Sequence, residues 1–282
     1  DEIKLLRNLQ ALIGVRYIYH ENFKNHATPN VALMYKPGKF NFRASYAAGF
    51  RTPTLSELYA TDIAKKNDRL TIGNLDLKSE KNNYFSLSAE YVHERFSVSV
   101  NAFYNNIRDM IDYNTIATGD KAMEQYGHKE VRQRDNIAEA KVHGINVSAN
   151  AYLGAGFNLS GGYTHLNTQD VELEQPIDKS IKNAYNINAQ WAHSWKIYRL
   201  NINLNGRINS KRFSKSYGYA PEYQLWDLNT RHSFNLKSVI IEPGCGIENL
   251  FDYTDDRPYN SNYATLTPGR SFYISLSLKF KS

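Results

Sequence analysis

Arginine, tyrosine and carboxamide side chains recur where the chain is least regular. Arg51, Glu57 and Tyr59 form one group, Asn74 and Asp76 a second, Tyr126 and His128 a third, Tyr217 and Tyr219 a fourth, and Tyr259 and Tyr263 a fifth. Tyrosine offers a stacking face with a polar tip, and arginine offers charge-assisted hydrogen bonds. Together they suit non-covalent capture of an anionic, ring-bearing metal chelate. His128, in "EQYGHKEVRQRD", can take an axial position on a haem iron or stand as a solvated loop histidine. Arg51 and Glu57 also read as a polar pair that shapes its own loop. Asp252, Asp255 and Asp256 can gather a calcium ion or form an ordinary solvated turn. Serine, histidine and aspartate are all present, but no spacing links a nucleophile to a base, so the chain reads as a non-enzyme with no resident cofactor.

Side chains of this kind need a scaffold, and its signature is alternation. In "NFRASYAAGFRTPTLSELYA", Asn41 to Ala60, and the Phe40 before it, residues Phe40, Phe42, Ala44, Tyr46, Ala48 and Phe50 share one parity. Asn41, Arg43, Ser45, Ala47, Gly49 and Arg51 share the other. A strand points successive side chains to opposite faces, so one face is apolar and the other polar. Twelve such stretches can be marked, from Ala11, Ile13, Val15, Tyr17 and Tyr19 to Phe272, Ile274, Leu276, Leu278 and Phe280. Many exceed ten residues, whereas strands in globular proteins average about five or six. Short turns such as Pro37-Gly38 and Gly154-Ala155-Gly156 alternate with long loops near 52–80, 113–135, 170–182, 213–223 and 253–269. Strands near ten residues with an apolar outside, a polar inside and unequal connections predict an all-β transmembrane antiparallel barrel. Tyr and Trp near strand ends, Trp191, Trp195 and Tyr198 among them, fit interfacial girdles.

Bulk composition narrows the alternatives. The 282 residues contain 13% aromatics, with 21 Tyr, and 22% charged residues. Mean hydropathy is -0.58 and there is no long apolar run, which excludes a helical membrane protein but not a barrel. One cysteine, Cys245, excludes an internal disulfide framework. The 34 Lys and Arg are interleaved with 28 Asp and Glu, so the net charge of +6 does not point to nucleic acid. No basic segment followed by an apolar one opens the chain, which points to a mature or truncated product.

Several stretches resemble one family. "GFRTPTLSELYA" (Gly49 to Ala60) followed by "IGNLDLKSEKNNYFSLSAEY" (Ile72 to Tyr91) looks like the paired boxes of TonB-dependent outer-membrane receptors. "NAFYNNIRDMI" (Asn101 to Ile111), "YQLWDLNTRHSF" (Tyr223 to Phe234), "IENLFDY" (Ile247 to Tyr253) and "TPGRSFYISLSLKF" (Thr267 to Phe280) follow in the family's order. The resemblance implies that residues 1–282 are the C-terminal portion, about 12 strands, of a 22-stranded barrel whose N-terminal plug and first half lie outside this chain or on a separate one. It implies a bacterial outer-membrane location, contact with lipid, energy from the TonB complex through the plug, and an occasional surface lipoprotein partner. The implied cargo is an iron complex, siderophore or haem, with cobalamin as runner-up. A passive porin is the rival reading from another class. Thr52, Leu75 and Ser79 replace the Ala and the two Pro residues usual in the boxes. Haem receptors of the family tend to carry a His between those boxes, and none lies between Thr54 and Gly73.

Overall fold

The computed structural model describes residues 2–21, 23–214, 218–255 and 267–281. In chain order its first elements are β1 (Glu2–Leu6), β2 (Leu9–His20), β3 (Lys24–Tyr35), β4 (Phe40–Arg51), α1 (Leu55–Tyr59), β5 (Thr61–Ala64), β6 (Arg69–Ile72) and β7 (Glu80–Val92). There follow β8 (Phe96–Thr118), α2 (Gly119–Tyr126), β9 (Glu130–Gly154), β10 (Phe157–Asp170), β11 (Asn183–Trp195) and β12 (Tyr198–Asn209). The last are β13 (Arg212–Ser214), β14 (Gly218–Ala220), β15 (Tyr223–Asn235), β16 (Val239–Glu248) and β17 (Ser271–Phe280). Thirteen strands form one continuous wall in the order β1-β2-β3-β4-β7-β8-β9-β10-β11-β12-β15-β16-β17. Each pairs antiparallel with its neighbour, as sequential strands joined by hairpins must. Among the described residues β1 and β17 are not paired with each other, so the wall is an open segment of a barrel.

The wall is one strand thick, and parity decides what each side chain meets. Outward residues are apolar and exposed: Val15 is 72% accessible, Leu87 64% and Ile274 89%. Large apolar side chains laid open along strand after strand describe a surface whose solvent is lipid. Inward residues pair across the ladder instead. Asn41 Nδ2 donates to Glu90 Oε2 at 3.1 Å, the Ser45 and Ser86 hydroxyls meet at 2.7 Å, Ser99 meets Ser148 at 2.7 Å, and Asn188 Nδ2 donates to Asn205 Oδ1 at 2.6 Å. Each of these pairs sits directly opposite in register. Cross-strand polar pairs of this sort contribute roughly 0.2–1 kcal/mol each and tie the register of the wall to its inner face.

Two differences from the sequence reading have physical causes. A thirteenth strand, β1, precedes the twelve; five residues are too few for periodicity to declare itself. The stretch 113–135 is mostly a ribbon, because β8 runs 23 residues and β9 runs 25. At about 3.3 Å per residue β9 extends about 80 Å, far beyond an apolar band about 25 Å tall. The ribbon therefore rises above the wall, and β6 adds to its β9 edge in parallel, Arg69 to Ile72 against Glu130 to Gln133.

Hydrophobic packing of the ordinary kind occurs away from the wall. Leu70, Ala117 and Val131 are buried together with Ala122 of α2, and Ile72, Ile116 and Tyr126 pack around them. This cluster fixes the ribbon tip, α2 and the β5–β6 hairpin as one cap beside the rim.

Candidate functional site

The site is built where β4 ends. Arg51 points inward by parity and lies directly opposite Glu80, the first residue of β7. Its guanidinium grips two carboxylates at once. Nε and Nη2 donate to Glu80 at 2.8 and 2.6 Å, while Nη1 and Nη2 donate to Glu57 at 2.9 and 3.1 Å. Glu80 Oε1 also accepts from the Ile111 amide at 2.8 Å, beside an irregularity in β8 where Asp109 adopts a φ of 55°. One fork thus ties β4, α1, β7 and β8 together.

Local sequence sets the turn that brings Glu57 into reach. Thr54 caps α1 and accepts from the Glu57 amide at 3.2 Å. The Glu57 carboxylate in turn accepts from the Thr54 amide at 2.8 Å and from its hydroxyl at 3.0 Å. This reciprocal box satisfies two amide donors that a five-residue helix would otherwise leave open. Burial alone would raise the Glu57 carboxyl, but hydrogen bonds from Arg51 and Thr54 outweigh it and hold the group below the ordinary value of 4.5.

The loop returning to β7 is moulded onto α1. Gly73 donates to Ala60 O at 2.8 Å and Asn74 to Glu57 O at 3.0 Å. A Cβ on Gly73 would come within 2.5 Å of Leu58 O, so glycine alone permits this approach. Asn74 Oδ1 accepts from the Asp76 amide at 2.9 Å, an Asx turn that reverses the chain. Asn136, on β9, then pins the far end of the loop: its Oδ1 accepts from the Lys78 amide at 2.7 Å, and its Nδ2 donates to Lys78 O at 3.0 Å and Asp109 O at 2.6 Å.

Beside this frame lies a cleft of about 710 Å³, whose walls include Phe23, His26, Tyr59, Asp76, Lys78 and Lys81. The His26 ring stacks on Phe50 at 4.1 Å, and its Nε2 is buried without a hydrogen-bond partner. β3–β4 pairing ends at Asn30 and Ala47, one residue short of Pro29, which has no N–H to donate. The two strands part there, and the cleft lies beside the parting. Its lining combines Lys78 and Lys81 with Asp76 and Asp109, Tyr59 and a half-buried imidazole, a mixed polar set with an aromatic stacking face.

The residues expected from sequence separate into distinct settings. Arg51 and Glu57 are joined, with Glu80 as the partner that sequence reasoning did not single out. Tyr59 and Asp76 line the cleft, while Asn74 shapes the turn beneath it. Tyr126 packs against the cap's apolar cluster. His128 Nδ1 sits 2.8 Å from Asp68 Oδ1 and clasps the ribbon to the β5–β6 hairpin; its hydrogen bond, aided by the Lys129 amide, holds the Asp68 carboxyl below the usual range. Tyr219 meets the Phe213 ring edge-on at 5.3 Å in the small β13–β14 hairpin. Tyr217, Tyr259 and Tyr263 lie outside the described residues, as does Asp256. Asp252 accepts from the Arg270 amide at 2.7 Å, and the described residues contain no cluster of three or more metal-ligating side chains.

Residues 1–250 match the family model described as TonB dependent receptor-like, beta-barrel. The chain belongs to this family. The fold of this TonB-dependent receptor barrel is shared with solved structures at low identity. One is a mutant of the ferric enterobactin receptor of Pseudomonas aeruginosa, at 19% identity and a TM-score of 0.79, covering 99% of this chain and 44% of that one. The siderophore receptor PirA of the same organism gives 17% identity and a TM-score of 0.72, covering 100% of this chain and 47% of that one. BauA, the ferric preacinetobactin receptor of Acinetobacter baumannii, gives 19% and 0.69, covering 97% and 40%. The chain therefore spans less than half the length of these receptors.

Proposed function

We propose that this chain is barrel wall and rim of a bacterial outer-membrane TonB-dependent receptor that imports a ferric siderophore. The observation that carries the reading is the wall itself: apolar and exposed outside, paired and polar inside, and topped by a rim whose loop is locked by Arg51. A lumen lined by hydrogen-bonding side chains suits a water-bearing passage and the docking of a polar plug supplied from outside residues 1–282. The TonB complex would act on that plug, and passage needs no covalent step.

Siderophore is favoured over haem on two grounds. The loop between the boxes carries no histidine, and His128 is held by Asp68. Tyr59 and Lys78 at the cleft instead offer a stacking face and a cation to an anionic catecholate-type chelate. The similar solved structures named above are siderophore receptors, which supports the same cargo class. The test is a titration of the full-length receptor in detergent with ferric enterobactin, haemin and cyanocobalamin, read by quenching of intrinsic fluorescence. Saturable binding of the ferric catecholate, at least tenfold tighter than the other two, is expected. Tighter binding of haemin or cyanocobalamin, or no saturation by any chelate, overturns the assignment.

A further inference from the structure

The segment entering β7 is held on both sides of Ser79 but not at it. Asn136 holds the Lys78 backbone, while Arg51 and the Ile111 amide hold Glu80. Ser79 between them is 5% accessible, and its Oγ is buried without a hydrogen-bond partner. Serines of the inner wall behave otherwise, since Ser45 meets Ser86 and Ser99 meets Ser148. His26 is a second residue of this kind at the same cleft: its ring lies on Phe50, and its Nε2 is equally unpartnered. Buried polar groups are nearly always paired, so two orphans lining one cleft point to a guest that supplies the missing bonds.

The rest of the lining narrows the chemistry of that guest. Lys78 and Lys81 are matched in number by Asp76 and Asp109, so the cleft has no net charge. Among the described residues none of the four joins an ion pair, and each keeps its own hydrogen-bonding capacity. Tyr59 is 64% accessible and offers a ring face. A catecholate alone uses Tyr59 and Lys78, is repelled by the two carboxylates and leaves both orphans unanswered. A guest that matches the whole set carries several neutral groups that both donate and accept, on a ring with an apolar C–H face.

We propose that this cleft is a saccharide-binding site. A pyranose hydroxyl donates one hydrogen bond and accepts others, so it answers Asp76 and Asp109 as a donor, Lys78 and Lys81 as an acceptor, and Ser79 Oγ or His26 Nε2 as either. The C–H face of the sugar stacks on the Tyr59 ring as an apolar plate. The volume, about 710 Å³, falls within the span of about 300–1,000 Å³ usual for small-molecule sites. Both orphans sit on fixed backbone, His26 opposite Ile18 in the β2–β3 ladder and Ser79 between two anchored neighbours, so binding loses little freedom. The assignment does not depend on the import reading, because a sugar can arrive free or as an arm of the imported chelate.

The experiment uses the full-length receptor in a detergent without a sugar headgroup, lauryldimethylamine oxide. Saturation-transfer NMR with the methyl glycosides of glucose, galactose, mannose and N-acetylglucosamine reads free sugar. Titration with a ferric catecholate, with and without a glucosyl substituent, reads a sugar arm. Saturable transfer to at least one glycoside is expected, or at least tenfold tighter binding of the glucosylated chelate than of its parent. Whichever signal is seen should fall at least fivefold in Ser79→Ala and in His26→Phe, which keeps an aromatic ring on Phe50, and persist in Ser45→Ala on the inner wall. The variants must show the heat-modifiable gel shift of the parent protein; where His26→Phe does not fold, Ser79→Ala carries the reading. No transfer to any glycoside together with equal binding of the two chelates, or a signal undiminished in the folded variants, overturns the proposal. Sugar binding that falls in the variants, without saturable binding of either chelate, would instead count against the import reading and leave the saccharide site standing.

Discussion

The wall and the rim solve opposite problems with the same strands. In the wall, backbone ladders do the joining, so side chains need only be apolar on one face and polar on the other. Replacement within a class should be cheap there, and replacement across faces costly. At the rim the ladders stop, and single side chains take over: Arg51 joins two glutamates, Asn136 stands in for a missing strand partner, and Gly73 allows two backbones to touch. Here the identity of one residue decides, and neighbours of the same class do not substitute.

The sharpest way to break this contrast is a charge on the outer face. Ile202→Lys, midway along β12, should cost about 2–4 kcal/mol and deplete the heat-modifiable folded form, whereas Asn201→Lys, one residue away on the inner face, should leave most of it. Equal loss in both would mean that parity does not govern the wall. Next in size is Arg51→Ala. A buried pair broken on one side costs about 3–5 kcal/mol. The Arg51 side chain is 43% exposed, so about 2 kcal/mol is expected after discounting for solvent. Hydrogen exchange should quicken in α1 and in residues 73–79 with β10–β12 unchanged; exchange that quickens evenly would deny the rim its independence.

Asn136→Ala removes three hydrogen bonds to backbone groups and should cost about 1–2 kcal/mol. Its readout is protease cleavage near Lys78, expected to be faster than in the parent protein. Smallest is the acid response of α1. Because the folded Glu57 carboxyl is depressed, its contribution is present above its ordinary value of 4.5 and is lost as pH falls through the lower folded value. Exchange at Leu58 and Tyr59, compared at matched intrinsic rates, should therefore increase as pH falls below the ordinary carboxyl value of 4.5, and this acid-induced increase should be smaller in Glu57→Gln, which has no charge to lose.

The wall was legible because alternation is a property of every residue in it. Val15, Leu87 and Ile274 each announce the same face, and twelve repeats outvote any local ambiguity. β1 escaped notice because five residues hold barely two turns of a two-residue period. The ribbon escaped because its buried face is short: Ala117 and Val131 pack into the cluster with α2, too few positions for Tyr113 to Thr118 and Glu130 to Arg134 to show a clear two-residue period. At the rim, Thr54 and Glu57 carry a spacing that names a helix cap, and Arg51 with Glu57 was visible as a pair. Glu80 could have been found by pairing β4 with β7, since it stands opposite Arg51 in that register. Asn136 could not: nothing in "RQRDNIAEA" distinguishes it from its polar neighbours, and its role exists only once β8, β9 and the 73–79 loop are together.

The most direct test of the central claim is a nitroxide scan along β12 in lipid bilayers. Single cysteines would be placed at Leu200, Asn201, Ile202, Asn203, Leu204 and Asn205 in a chain carrying Cys245→Ser. Strict alternation is expected, with labels at 200, 202 and 204 relaxed by oxygen and those at 201, 203 and 205 by a water-soluble nickel chelate. Accessibility that varies smoothly along the strand, or alternates with the opposite parity, would contradict it.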